Sequence, residues 1–226
     1  MICKRSSGTR LVSNIKSALR ANLLPGLCLQ LFALTIVLGY FYWPASQQFF
    51  QFFADLKAEY GALYAVVATS IFGGLLPFIY MFLNGEIRFL PFKQLLFYMI
   101  IWALLGGLIN GFYGFQIVLF GEGTDWLTVV KKTVFDQFVF SVFITSPFIA
   151  LAFLWKDKQF DWQKTKIHFD ELIKVQIPTT VVTTWIIWIP AVSFIYMMPT
   201  NLQIPLFNLV LCFFVLILAI LNVDEK

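Results

Sequence analysis

Charge is what this sequence has least of. Only 12% of its 226 residues are Asp, Glu, Lys or Arg, while 60% are hydrophobic. A soluble domain carries about a quarter of charged residues, so a soluble globular fold is excluded. Histidine is nearly absent as well. With His168 alone, the chain cannot build a multi-histidine metal site or bis-histidine haem ligation. Cys3, Cys28 and Cys212 show no paired spacing, and two of them lie in apolar runs, which excludes a disulfide framework or a metal knuckle. No acid precedes Asp55, although Lys4, Arg5, Arg10, Lys16 and Arg20 do. Gly-x-Ser-x-Gly, Walker, Gly-x-Gly-x-x-Gly and His-Glu-x-x-His patterns are all missing. The expectation is therefore a protein without catalytic, cofactor-binding or metal-ligating residues.

What is abundant is long apolar sequence. The mean hydropathy is +0.82 and Phe alone contributes 27 residues. Six runs reach the roughly 20 apolar residues that a bilayer crossing needs. They lie near Leu23–Trp43, Gly61–Leu83, Leu95–Phe120, Val134–Trp155, Val175–Met197 and Leu202–Leu221. The last two come from one uncharged stretch, Val175 to Val223, with Pro199 and Pro205 expected to mark the turn. The fold class is all-α, a polytopic transmembrane helical bundle of about six spans with interfacial amphipathic helices. A four-span bundle with two demoted runs is the alternative. The domain reading is a basic tail over 1–22, one membrane domain over 23–221 and a short tail over 222–226.

Six spans place thirteen of the sixteen Lys and Arg residues on one side and three on the other. By the positive-inside rule both termini face the cytoplasm or its equivalent in an organelle. The leader reads either as an organelle transit peptide or as a basic tail on anionic lipid, with Leu11, Ile15 and Leu19 on one face. The uninterrupted run into a full span favours the tail. Two connections read as interfacial helices. One is capped by Ser46 and presents Phe49, Phe50, Phe52, Phe53 and Leu56; the other, in Asp157–Lys174, has Trp162, Phe169, Leu172 and Ile173 on one face.

The most informative stretch runs from Lys131 to Pro147. It contains Asp136, the one acid or base that this division places inside a span. A carboxylate in hydrocarbon costs several kcal/mol unless it finds water, a cation or a donor. Asp136 is thus either a boundary residue near the helix end, reached by water and by Lys132 one turn earlier, or a functional group facing other helices or a wet cavity. Gln137, Ser141 and Thr145 follow at four-residue spacing on one stripe. Such a stripe packs on a neighbouring helix or lines a pathway.

Other spans carry further polarity: Asn110, Tyr113 and Gln116 in the third, Thr179, Thr180, Thr183, Thr184 and Ser193 in the fifth, Gln203 and Asn208 in the sixth. Hydroxyls in a proline-broken helix can refill freed carbonyls, or the set can line a hydrated passage. Gly107 and Gly111, four apart, are the expected close-packing pair of the third span.

Several of these pieces occur in a familiar order. Gly106-Gly107-Leu-Ile-Asn110-Gly-Phe112-Tyr113 resembles the Gly-Pro-x-x-His-x-Trp-Tyr signature of the Mpv / peroxisomal membrane protein family, small multi-pass proteins of peroxisomal and mitochondrial inner membranes. Lys132-x-x-x-Asp136-Gln137 is similar to its Lys-x-x-x-Asp-Gln, and Trp185-Ile-Ile-Trp188-Ile-Pro190 to its Trp-x-x-Trp-Pro with one residue inserted. Pro199-Thr-Asn-Leu-Gln203 and Asn208 resemble its closing Pro-x-x-x-Arg and a later Asn. The resemblance covers Gly106 to Leu221. It departs where Gly107 replaces proline, Asn110 histidine and Gln203 arginine, as in a divergent member. It implies four spans and a channel-like protein, with Lys132, Asp136, Gln137, Asn110, Tyr113, Trp185, Trp188, Gln203 and Asn208 as the functional polar residues.

Two functions follow as expectations. One is channel-like passage of small solutes or ions through the bundle, with Asp136 at one mouth. The other is a non-conducting structural or assembly protein, with a dry interior and Asp136 tied to a donor such as Trp185 or Tyr113. The expected partners are the lipid bilayer and a small solute or ion, with a homo-oligomer left open and no nucleic acid.

Overall fold

The computed structural model describes residues 7–223, with the side chains of 11–217. Cys3, Lys4 and Arg5 of the expected basic tail, and residues 224–226 at the other end, lie outside the described residues. The described chain is helical with no strand, and six of its helices are long and apolar enough to cross a membrane. The protein is a multi-pass integral membrane protein. The helices are α1 (Ser7–Tyr42), α2 (Pro44–Leu83), α3 (Pro91–Phe120), α4 (Trp126–Asp157), α5 (Trp162–Ile167), α6 (Phe169–Tyr196) and α7 (Thr200–Val223). Six spans replace the four that the resemblance implied.

Two boundaries differ from the sequence expectation. No break separates the leader from the first span, because α1 is one helix through Pro25. Leu11, Ile15 and Leu19 are half-buried along it, and this end of α1 meets the start of α6. Pro199 does mark the turn between α6 and α7, but Pro205 lies inside α7.

The interfacial segment Pro44–Tyr60 is joined to its span at Gly61, where φ 52 and ψ −122 interrupt the helix. A positive φ is left to glycine because a Cβ would clash there. Ser46 does not cap this segment. Trp43 occupies the cap position, and the Ser46 hydroxyl turns back to donate to the carbonyls of Gly39 and Trp43, at 2.7 and 2.8 Å. In the second connection Trp162 packs edge-on against Phe169 and Leu172 is buried, but Ile173 is exposed and leaves that face.

Packing is organised on α7. Leu202 to Asn208 are buried without interruption, and the helix touches α1, α2 and α6. α2 also packs along α3, α1 along α6, and α4 along α6. Close approach depends on glycines other than the expected pair. A Cβ on Gly106 would sit 2.5 Å from the Ala65 carbonyl oxygen and 2.7 Å from Thr69, and one on Gly74 would sit 3.0 Å from the Tyr98 carbonyl oxygen. Gly111 faces open space and Gly107 meets only Val66 at 3.5 Å. The contact surface of α3 is thus Gly106, Ile109 and Tyr113, one residue out of register with the pair expected.

Three stretches widen into π-helix: Ser70–Leu75, Asp136–Thr145 and Leu172–Gln176. Each is followed by a stretch whose second residue is proline, namely Pro77, Pro147 and Pro178. Proline lacks the amide hydrogen and its ring clashes with the carbonyl four residues back. A wider turn relieves that clash, which accounts for the register change in the preceding residues.

Candidate functional site

Between α2, α3, α4, α6 and α7 the bundle leaves a cavity of about 460 Å³. Two of the π segments border it, Ser70–Leu75 through Gly73 and Asp136–Thr145 through five of its residues. At one end it reaches Glu86, in the turn between α2 and α3. Along α4 it runs from Asp136 to Phe153, about 25 Å of helix at 1.5 Å per residue. Its walls are largely aromatic and aliphatic, with Trp102, Phe140, Trp188 and Phe207 among them.

Asp136 lies ten residues into α4, about 15 Å from the helix start. It is 7% exposed. The Tyr196 hydroxyl donates to Oδ2 at 2.5 Å and the Gln137 amide donates to Oδ1 at 3.1 Å, so each carboxyl oxygen has a donor. Tyr113 lies against Tyr196, with ring centroids 5.2 Å apart. The expected neighbour Lys132 makes no ion pair with it. Lys132 is 1% exposed, and its Nζ is buried without a hydrogen-bond partner among the described residues.

The polar stripe lines this cavity. Gln137, Ser141 and Thr145 all border it beside Asp136, joined by Ser146. Gln137 is 2% exposed and its Oε1 accepts no hydrogen bond from the described residues. From the facing wall α6 contributes Thr180, Thr184 and Trp188. Thr179 and Thr183 instead donate to carbonyls one turn back, Val175 at 2.7 Å and Thr179 at 2.9 Å, which are not the carbonyls that Pro178 and Pro190 leave without a donor.

Four of the nine expected residues meet here: Asp136, Gln137, Tyr113 and Trp188. The rest hold the bundle together or lie outside the lining. Trp185 donates Nε1 to the Gln137 carbonyl oxygen at 2.7 Å, fixing a backbone group of the π segment, and makes no bond to Asp136. Asn208 accepts from Thr69 at 2.7 Å between α7 and α2, Gln203 donates to the Met198 carbonyl at 3.1 Å, and Asn110 is half-buried away from the cavity. Gln116 donates to the Lys132 carbonyl oxygen at 3.0 Å and so ties α3 to α4.

Two residues were missed. Tyr196 is fully buried, and the signal available was a phenol in an apolar run, which needs a partner for its hydroxyl. Glu86 falls between the expected second and third spans and carries no site signal of its own; its Oε1 is buried with no partner among the described residues, at the outer end of the cavity.

The charged residues of the lining are Glu86 and Asp136, and no Lys, Arg or His belongs to it. Past Asp136 the interior is filled, with Val129, Tyr196, Met198 and Leu202 buried in the same cluster as Tyr113. No family model, characterised protein or solved structure matches the chain.

Proposed function

We propose that this integral membrane protein provides channel-like passage for small solutes or ions through its helical bundle, and that the conformation described is closed at one end. The observation that carries this reading is the cavity. It is bordered by five of the six spans, extends from Glu86 to Asp136, and stops at the filled cluster around Tyr196. Ligand sites of about 300–1,000 Å³ hold small molecules, and an acid kept inside a membrane marks a pathway or binding site by default. The π segments add to this, because π turns in helices occur often at functional positions. The thirteen-to-three distribution of basic residues supports a cytoplasm-equivalent location for the end at Glu86 and for both termini.

The test is solute flux into proteoliposomes of the purified protein, compared with Asp136→Asn. Flux that falls in a normally inserted variant supports the reading. Flux no greater than in empty liposomes, over a panel of small solutes and ions, overturns it.

A second reading rests on the bonds to Asp136. Its two donors, Tyr196 and Gln137, are what a non-conducting structural or assembly protein would use to anchor an acid in a dry interior. In that case Asp136→Asn assembles poorly and the parent carries no flux. The ordered motifs from Gly106 to Asn208 also support kinship with the Mpv family, with six spans as a departure from its pattern.

A further inference from the structure

We propose that the cavity is a binding site for a monovalent organic cation with an apolar body, its charge held at Asp136 and Gln137. The proposal rests on the passage reading above and names its substrate class.

The sign of charge comes from the lining. Its two ionisable carboxyl groups stand at opposite ends, Asp136 inside and Glu86 at the turn, and no basic side chain lines the space between. Lys156 stands behind this wall, donating to the Tyr98 hydroxyl at 3.3 Å and lying 5.1 Å from the Phe153 ring centroid, but it is paired with Asp157 at 3.2 Å and is not itself part of the lining. Acids in a low-dielectric cleft favour cations and repel anions.

The hydrogen-bonding requirement comes from Gln137. Its amide nitrogen is committed to Asp136, and its Oε1 is buried with no donor among the described residues, on a residue that lines the cavity. A buried acceptor left unbonded costs about 1–3 kcal/mol, so turning the amide to present Oε1 to a ligand N–H or a polarised C–H beside the ligand's charge would relieve it. An alkylated ammonium has both the charge and these donors.

The body of the ligand is set by the walls. Trp102, Trp188, Phe140 and Phe207 offer ring faces and edges over most of the cavity. Aromatic faces attract organic cations, and large apolar surfaces take an apolar substituent. A bare inorganic cation needs about six oxygen ligands, which walls of this composition do not provide.

The experiment is equilibrium dialysis of radiolabelled phenyltrimethylammonium against the purified full chain in detergent, with the neutral isostere tert-butylbenzene and sodium ion as competitors. Saturable binding near one per chain is expected, with neutral analogue and sodium at least tenfold weaker. Asp136→Asn is expected to lose at least tenfold in affinity. Glu86→Gln, a nearly isosteric change in the turn between α2 and α3, is expected to lose about threefold and tests the charge argument if the Asp136 variant does not fold. Retention no greater than in protein-free micelles, or competition by the neutral analogue as strong as by the cation, overturns the proposal. Binding without flux in proteoliposomes overturns the passage reading and leaves this site standing. Flux of another solute with no phenyltrimethylammonium binding does the reverse.

Discussion

Tyr196 on α6 donates its hydroxyl to Asp136 on α4 at 2.5 Å, joining residues sixty positions apart in the middle of the bundle. The contact explains how a carboxyl group is accommodated there without an ion-pair partner. Its surroundings are the Gln137 amide and the Tyr113 ring rather than Lys132.

Tyr196→Phe removes the donor and leaves a buried acceptor, at an expected cost of about 1–3 kcal/mol. Asp136→Asn keeps an acceptor for Tyr196 and is expected to cost less stability, while lowering flux. Denaturant unfolding in mixed micelles checks both. Equal stabilities for parent and Tyr196→Phe would show that the bond contributes nothing net.

Gly106→Ala places a methyl group against the Ala65 carbonyl oxygen, a backbone atom that cannot swing aside. The expected cost is about 1–3 kcal/mol, as for overpacking a core. Gly111→Ala meets open space and is expected to be neutral or to gain up to about 1 kcal/mol in helix propensity. Thermal denaturation in detergent distinguishes them, and the reverse order would move the contact face of α3.

Asp161 caps α5 by accepting from the amides of Gln163 and Lys164, at 2.9 and 3.1 Å. The Lys164 amide, more than any other group, holds its carboxyl below the ordinary carboxylate range. Because the folded value is depressed, the contribution is present above the unfolded pKa of about 4 and is lost as pH falls through the lower folded value. Amide protection at Gln163 and Lys164, relative to the intrinsic exchange rate at each pH, is therefore expected to fall below about pH 4 and in Asp161→Ala, but not in Asp161→Asn, which still caps. Unchanged exchange in the Ala variant would remove the cap from the account.

Single cysteines at Lys164 and Glu122, in a protein whose own cysteines are replaced, are expected to label from opposite faces of oriented vesicles. The distribution of basic residues places Lys164 on the expected cytoplasm-equivalent side. Labelling of both from one face would overturn the six-span topology.

The spans and the weight on Asp136 were legible because both follow from solvation. A run of 20 apolar residues has few places to go other than a bilayer, and an acid within one calls for a partner. The stripe of Gln137, Ser141 and Thr145 was legible for the same reason. The partner itself was not. Tyr196 reaches Asp136 through tertiary packing, which local spacing does not encode. The glycine face was misread because the four-residue spacing of Gly107 and Gly111 carries no information about which side of α3 meets α2. The same limit hid the start of α4, which lies at Trp126, before the apolar run that marked it.

The π segments bear on how this chain tolerates change in length. A turn closed one residue later than usual holds a residue that a regular helix would not need. Deleting one position inside Ser70–Leu75 would let that turn close normally while keeping both flanks of α2 on their present faces. The same deletion in the regular stretch Pro91–Phe120 would rotate every later side chain by about 100°, a 3.6-residue turn allowing nothing else. The proline-widened turns are thus where the bundle can lose a residue and keep its cavity facing inward.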